Sequence, residues 1–196
     1  CSSDLIPSDA LVDGWTIDFR RFLIAITEVA ADGEPLDGTF VVDLTQASGG
    51  DGHELGSIAL PAAGMPAVEF RVAPFDTATP VSATDDDVAT LSDAGASLWV
   101  EGTATKGDRT VSFAWAFTTD THYVECHSTA DLAGDAPKSQ LTLHADHLFY
   151  DDLQSPDALL RFDAIAAADR DRDGTVTLEE LGMVDLTTLP STQYGG

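Results

Sequence analysis

The sequence predicts a mainly β chain: an antiparallel β-sandwich with a short helical appendage near its C-terminal end. Three observations carry this. Short runs of alternating apolar and polar residues recur along the chain and are separated by Gly, Pro, Asp and Ser; no helical periodicity occurs before residue 155; and apolar residues then switch to helical spacing.

Residues 1–13 (CSSDLIPSDALVD) are polar and turn-rich, as a tether to a folded body would be. The body is expected over residues 14–150 and opens with GWTIDFRRFLIAITEV. There Trp15, Ile17 and Phe19 alternate, and Phe22, Ile24 and Ile26 alternate one position out of step. The change of phase at Arg20 and Arg21 predicts a β-bulge or a break between two strands. TFVVDLT (39–45), HELGSIAL (53–60) and AVEFRVAPF (67–75) read as further strands. Residues 76–95 are acidic and loop-like, with room for one short helical turn. In ASLWVEGTATKGDRTVSFAWAF (96–117) two alternating runs flank Lys106-Gly107-Asp108, which predicts a hairpin. THYVECHS and SQLTLHADHLF add two more strands. About seven or eight strands at this spacing suit an immunoglobulin-like sandwich.

At Ser155-Pro156-Asp157 a capping side chain and a first-turn proline predict a helix start, and Leu159, Leu160, Phe162, Ile165 and Ala166 share one helical face. The helix leads into DRDRDGTVTLEE, residues 169–180, and LEELGMV can form a short second helix. Residues 188–196 read as a loose tail.

DRDRDGTVTLEE resembles the calcium loop of the EF-hand family over its full length, and with the flanking helices the resemblance covers about residues 155–185. Such a loop supplies oxygens from positions 1, 3, 5, 7, 9 and 12, with Gly at 6. The resemblance implies that Asp169, Asp171, Asp173, the Thr175 carbonyl, Thr177 through water and Glu180 hold calcium, with Gly174 at the sharp turn. The physics agrees: four carboxylates packed together without a cation repel one another. Two departures matter. No second loop exists to pair with Val176 at position 8, and the exit helix is interrupted by Gly182 and followed by Pro190. A structural clip over residues 151–187, fastening the helical segment to the β body, is expected rather than a sensor.

With 34 acidic and 9 basic residues the formal net charge is −25, which repels nucleic acid and anionic lipid headgroups. The hydrophobic fraction of 43% is enough for a core, and no apolar run approaches the ~20 residues that span a bilayer. The start Cys1-Ser2-Ser3-Asp4 resembles a mature bacterial lipoprotein, in which the first Cys carries the lipid. That resemblance implies lipidation at Cys1, export, and a membrane-anchored place on the periplasmic or cell-surface side of the envelope. A Cys1–Cys126 disulfide is the competing reading.

Four of the five histidines, His122, His127, His144 and His147, fall between residues 122 and 147, together with Cys126. Imidazole and thiolate suit copper or zinc, but the spacing matches no strong motif. Ordinary sandwich residues are the competing reading. The chain also bears a faint resemblance to secreted copper-binding β-sandwich lipoproteins, without a diagnostic ligand set.

Neither a GxSxG motif nor a Gly-rich phosphate cradle is present, so binding is favoured over catalysis. The expectation is a lipid-anchored, calcium-stabilised, non-catalytic binding or accessory protein of the bacterial envelope, working with another envelope protein. A copper- or zinc-binding protein using the His/Cys group is the alternative, and an envelope hydrolase a weaker one.

Overall fold

The computed structural model describes residues 4–60, 66–127, 138–190 and 193–194. In chain order the elements are β1 (Leu5–Ile6), β2 (Thr16–Ala31), β3 (Glu34–Leu36), β4 (Phe40–Asp43), β5 (Ala67–Val72) and β6 (Thr79–Pro80). They are followed by α1 (Asp85–Asp93), β7 (Leu98–Lys106), β8 (Arg109–Phe117), β9 (Thr121–His127), α2 (Asp163–Ala166), β10 (Thr175–Val176) and α3 (Leu178–Gly182). Ala145–Phe149 and Leu186–Thr188 are 3₁₀ turns.

The chain is mainly β, as expected, and its ten described strands join one mixed sheet. The expected pairing was antiparallel throughout, but β4 with β6 and β8 with β10 run parallel. Parallel neighbours need a crossover of a dozen or more residues. Both pairs have one, since β5 and its loops separate β4 from β6, and the whole stretch from β9 to the calcium-type loop separates β8 from β10. The β7–β8 hairpin forms as predicted, with Gly107 at φ 60° in its turn.

Residues 1–21, 100–115 and 143–196 make one compact unit, and residues 22–99 and 116–142 a second. In the second unit the β2 residues Phe22 to Ile26 are all buried. Leu23 and Ala25 pack with Val41, Leu91 and Ala96. Ile24 and Ile26, on the opposite face, pack with Val42 and Val72. The change of phase at Arg20-Arg21 is therefore no strand break, because β2 is continuous there and both its faces become covered. The register shift on β2 lies further along, between Thr27 and Ala30, where Glu28 takes φ 52°. Residues 53–60 stay outside every described strand: Leu55 packs on the Ile24 cluster, and Leu36 fills the space a side chain at Gly56 would need.

The acidic stretch 76–95 contains a nine-residue helix, α1. Thr84 Oγ1 accepts the Asp87 amide at 3.2 Å while Asp87 Oδ2 accepts the Thr84 amide at 2.9 Å, a reciprocal capping box. Asp85, Asp86 and Asp87 sit in the first turn, where the helix dipole favours negative charge.

The core of the first unit is aromatic. Phe162 lies 5.2 Å from Trp15, 5.8 Å from Phe149 and 6.1 Å from Phe113, centroid to centroid. Phe19 and Trp115 complete the group around Phe113 and Phe149. β7 passes so close to β2 that a Cβ on Gly102 would lie 2.3 Å from the Asp18 carbonyl oxygen. Within the segment expected as a tether, β1 pairs with β2 and Leu11 is buried, bridging to Leu160.

Candidate metal centres

The C-terminal segment is positioned by capping from a distance. Ser155 was the expected cap, yet its hydroxyl only accepts the Asp157 amide in a local turn at 3.1 Å, and Leu160 is extended, bridging Tyr150. Helix α2 begins at Asp163 instead. There Asp13 Oδ2 accepts the amides of Phe162 at 2.6 Å and Asp163 at 2.7 Å. At its far end Arg109 donates to the Ala166 carbonyl at 2.7 Å. Asp163 Oδ1 accepts from Trp15 Nε1 at 2.7 Å and from Lys106 Nζ at 2.8 Å. Burial pushes the Asp163 carboxyl up, and these two donors outweigh it and hold the group below the usual carboxylate range.

Directly after α2, residues 169–180 make a tight loop. Carboxylate oxygens of Asp169, Asp171 and Asp173 all lie within 4.8 Å of one another. The loop is braced from inside: Asp171 Oδ1 accepts the Asp173 amide at 3.1 Å, Asp169 Oδ2 the Gly174 amide at 3.3 Å and Asp173 Oδ1 the Thr175 amide at 2.7 Å. Gly174 takes φ 86°, the left-handed conformation that favours glycine. Asp169 Oδ1 is buried and has no hydrogen-bond partner among the described residues.

Thr177 and Glu180 close the loop through the capping box of α3. Thr177 Oγ1 accepts the Glu180 amide at 3.2 Å, and Glu180 Oε2 accepts the Thr177 amide at 3.0 Å. Glu180 Oε1 accepts the Arg170 amide at 2.9 Å, tying the last loop residue back to the first turn. Backbone donation from Thr177 and then from Arg170 holds the Glu180 carboxyl below its ordinary range. Arg170 also donates to the Met183 carbonyl. Val176 is fully buried; it pairs in parallel with Phe113 on β8, and its carbonyl accepts from Trp115 Nε1 at 2.9 Å. Val176 thus finds its partner in a strand of the sheet.

The donors fit calcium. All are oxygens, as a hard cation prefers, and one of them is a buried, unpartnered carboxylate oxygen whose desolvation nothing else offsets. Asp169, Asp171 and Asp173, whose oxygens the structure brings together, would hold the ion, and the Thr175 carbonyl, Thr177 and Glu180 would complete the set once Glu180 turns from the Arg170 and Thr177 amides it accepts here; the bound ion would supply positive charge that offsets the repulsion of the carboxylates.

The His/Cys group is divided. His122 on β9 has Nε2 3.7 Å from Glu69 Oε2 in the second unit. Cys126 is half-buried and free, with Sγ 3.8 Å from the Val124 carbonyl. The imidazole of His127 and all of Cys1 lie outside the described residues. His144 and His147 belong to the first unit, and there the structure places Asp146 beside them: one potential donor atom from each of His144, Asp146 and His147 lies within 4.8 Å of the others. A strand was expected here, which would send the two imidazoles to opposite faces. Ala145–Phe149 forms a 3₁₀ turn instead, with His144 as the extended residue directly before it and its carbonyl accepting the His147 amide at 3.3 Å. The imidazole rings of His144 and His147 stack with centroids 5.1 Å apart. The His-x-Asp-His spacing was the available signal.

No family model matches the chain, and neither the curated proteins nor the solved structures contain a match.

Proposed function

We propose that residues 169–180 bind one calcium ion as a structural clip in an exported, lipid-tethered, non-catalytic binding or accessory protein of a bacterial envelope. In this reading the strands are layered as a β-sandwich, residues 155–185 act as an unpaired EF-hand, and the lipid is on Cys1. The observation that carries it is the buried Oδ1 of Asp169, unpartnered among the described residues, in a carboxylate that clusters with those of Asp171 and Asp173. The pairing of Val176 with β8 supports a clip over a sensor, because a position-8 residue committed to the sheet resists the opening motion of paired loops.

Calorimetric titration of calcium into chelator-stripped protein tests this. One ion per chain is expected, with Kd on the order of 10⁻⁴ M or tighter. Asp171→Asn and Glu180→Gln should each weaken it at least about tenfold, since each removes a charged oxygen donor. An absence of saturable heat at 10 mM calcium, as an order-of-magnitude ceiling for extracellular modules, contradicts the proposal.

A further inference from the structure

We infer that His144, Asp146 and His147 form a second metal site, separate from the calcium-type loop, which takes a borderline divalent transition ion: zinc or copper(II). Two imidazole nitrogens and one carboxylate oxygen are the donors, and this set selects the ion by softness. Imidazole suits zinc and copper(II), whereas calcium takes oxygen. The two centres in this chain therefore differ in kind. One is built from oxygen alone and the other is dominated by nitrogen.

The geometry is close to what such an ion needs. In a tetrahedral site with bonds near 2.0–2.1 Å, neighbouring donors stand about 3.4 Å apart. His144 Nδ1 and Asp146 Oδ1 are 3.9 Å apart, so a small rotation closes the difference. The His144 side chain is 61% exposed, so little beyond its stacking on His147 resists that rotation. Three protein donors leave at least one position for water, as at an open site.

The mount, in contrast to the ligands, is fixed. His147 lies within the 3₁₀ turn and His144 directly before it, and the two are tied by the His147 amide, which donates to the His144 carbonyl at 3.3 Å. Phe149 anchors the turn in the aromatic core, 6.1 Å from Phe19 and 5.8 Å from Phe162. Tyr150 acts as the orienting residue. Its hydroxyl donates to Asp146 Oδ2 at 3.2 Å, which leaves Oδ1 turned toward His144, and its ring stands 4.7 Å from that of His147. Such outer partners of a metal ligand are typically worth about 10–100-fold in affinity.

The test uses the full chain saturated with calcium, titrated with zinc chloride and followed by calorimetry and by the histidine ring protons in NMR. One zinc per chain should bind. The His144 and His147 resonances should shift at substoichiometric zinc while those of His53 and His122 stay in place. His147→Ala should weaken zinc binding at least about tenfold, and Tyr150→Phe by about tenfold, with unchanged melting temperature in the absence of zinc. Glu180→Gln should lose calcium affinity and keep zinc affinity, which separates this site from the calcium clip. Zinc binding that is absent, that survives His147→Ala undiminished, or that falls with Glu180→Gln instead would overturn the inference.

Discussion

At the residue scale the first unit depends on a few charged groups tied to backbone. Asp151 and Arg161 are the clearest pair, with side chains only 9% and 16% exposed. Asp151 Oδ2 accepts from Arg161 Nε at 2.7 Å, and Oδ1 accepts the Leu159 amide at 2.9 Å. Together with the Asp151 amide on the Leu159 carbonyl, these bonds hold the segment that leads from the histidine turn to α2. Burial raises the Asp151 carboxyl, but the Leu159 amide and the Arg161 guanidinium outweigh it and leave the group below the ordinary carboxylate range. A carboxyl depressed in the folded state contributes stability above its unfolded pKa of about 4, and that contribution fades as pH falls through the folded value. Arg161→Ala should therefore cost about 2 kcal/mol at pH 7, the scale of a charged hydrogen bond, and less at pH 3, below the unfolded pKa. Urea midpoints at the two pH values check this, and an equal loss at both would show that the charge of Asp151 is not involved.

At the element scale, α1 owes its first turn to Thr84. Thr84→Ala removes the acceptor of the Asp87 amide and should cost about 1 kcal/mol in urea unfolding, whereas Thr84→Ser should be near neutral. A Thr84→Ala protein as stable as the parent would mean that packing of Leu91 alone holds the helix. The capping signal was present in Thr84-Asp85-Asp86-Asp87, but with Asp in place of the usual Glu the run reads as a polar loop. Strongly periodic stretches were legible: the β7–β8 hairpin follows from alternation and from Gly107, and strand character in β2 from alternation, although β2 runs on through Arg20-Arg21 and shifts register only between Thr27 and Ala30. What escaped was set by distant partners. Ser155 looks like a helix cap, yet Asp13, far away in sequence, caps α2 at Phe162 and Asp163. Residues 138–144 alternate like a strand but lie in none, and the turn that follows is fixed by Phe149 in the core. Of the candidate sites, the convergence of Asp169, Asp171 and Asp173 was legible, because these residues are local in sequence, whereas the hold of the Thr177 and Arg170 amides on Glu180 was not. The histidine group was legible only as a composition bias, because which imidazoles meet depends on how the chain turns.

At the scale of the whole molecule, a net charge of −25 works against folding wherever acids crowd. Asp169, Asp171 and Asp173 are the densest described case, placed next to the sheet through Val176. A cation there would lower the electrostatic cost of the fold and also lock β10 to β8, where the Ser112 amide donates to the Gly174 carbonyl at 2.8 Å. The most direct measurement is amide hydrogen exchange with calcium and with a chelator, following the peptides that carry residues 163–182 and Ser112. At calcium about a hundredfold above Kd, binding would stabilise the folded loop by about 2.7 kcal/mol, so exchange in these peptides should slow roughly a hundredfold, and Asp171→Asn should cut that slowing to about tenfold or less at the same calcium concentration. Identical exchange in calcium and chelator would contradict a calcium clip at residues 169–180.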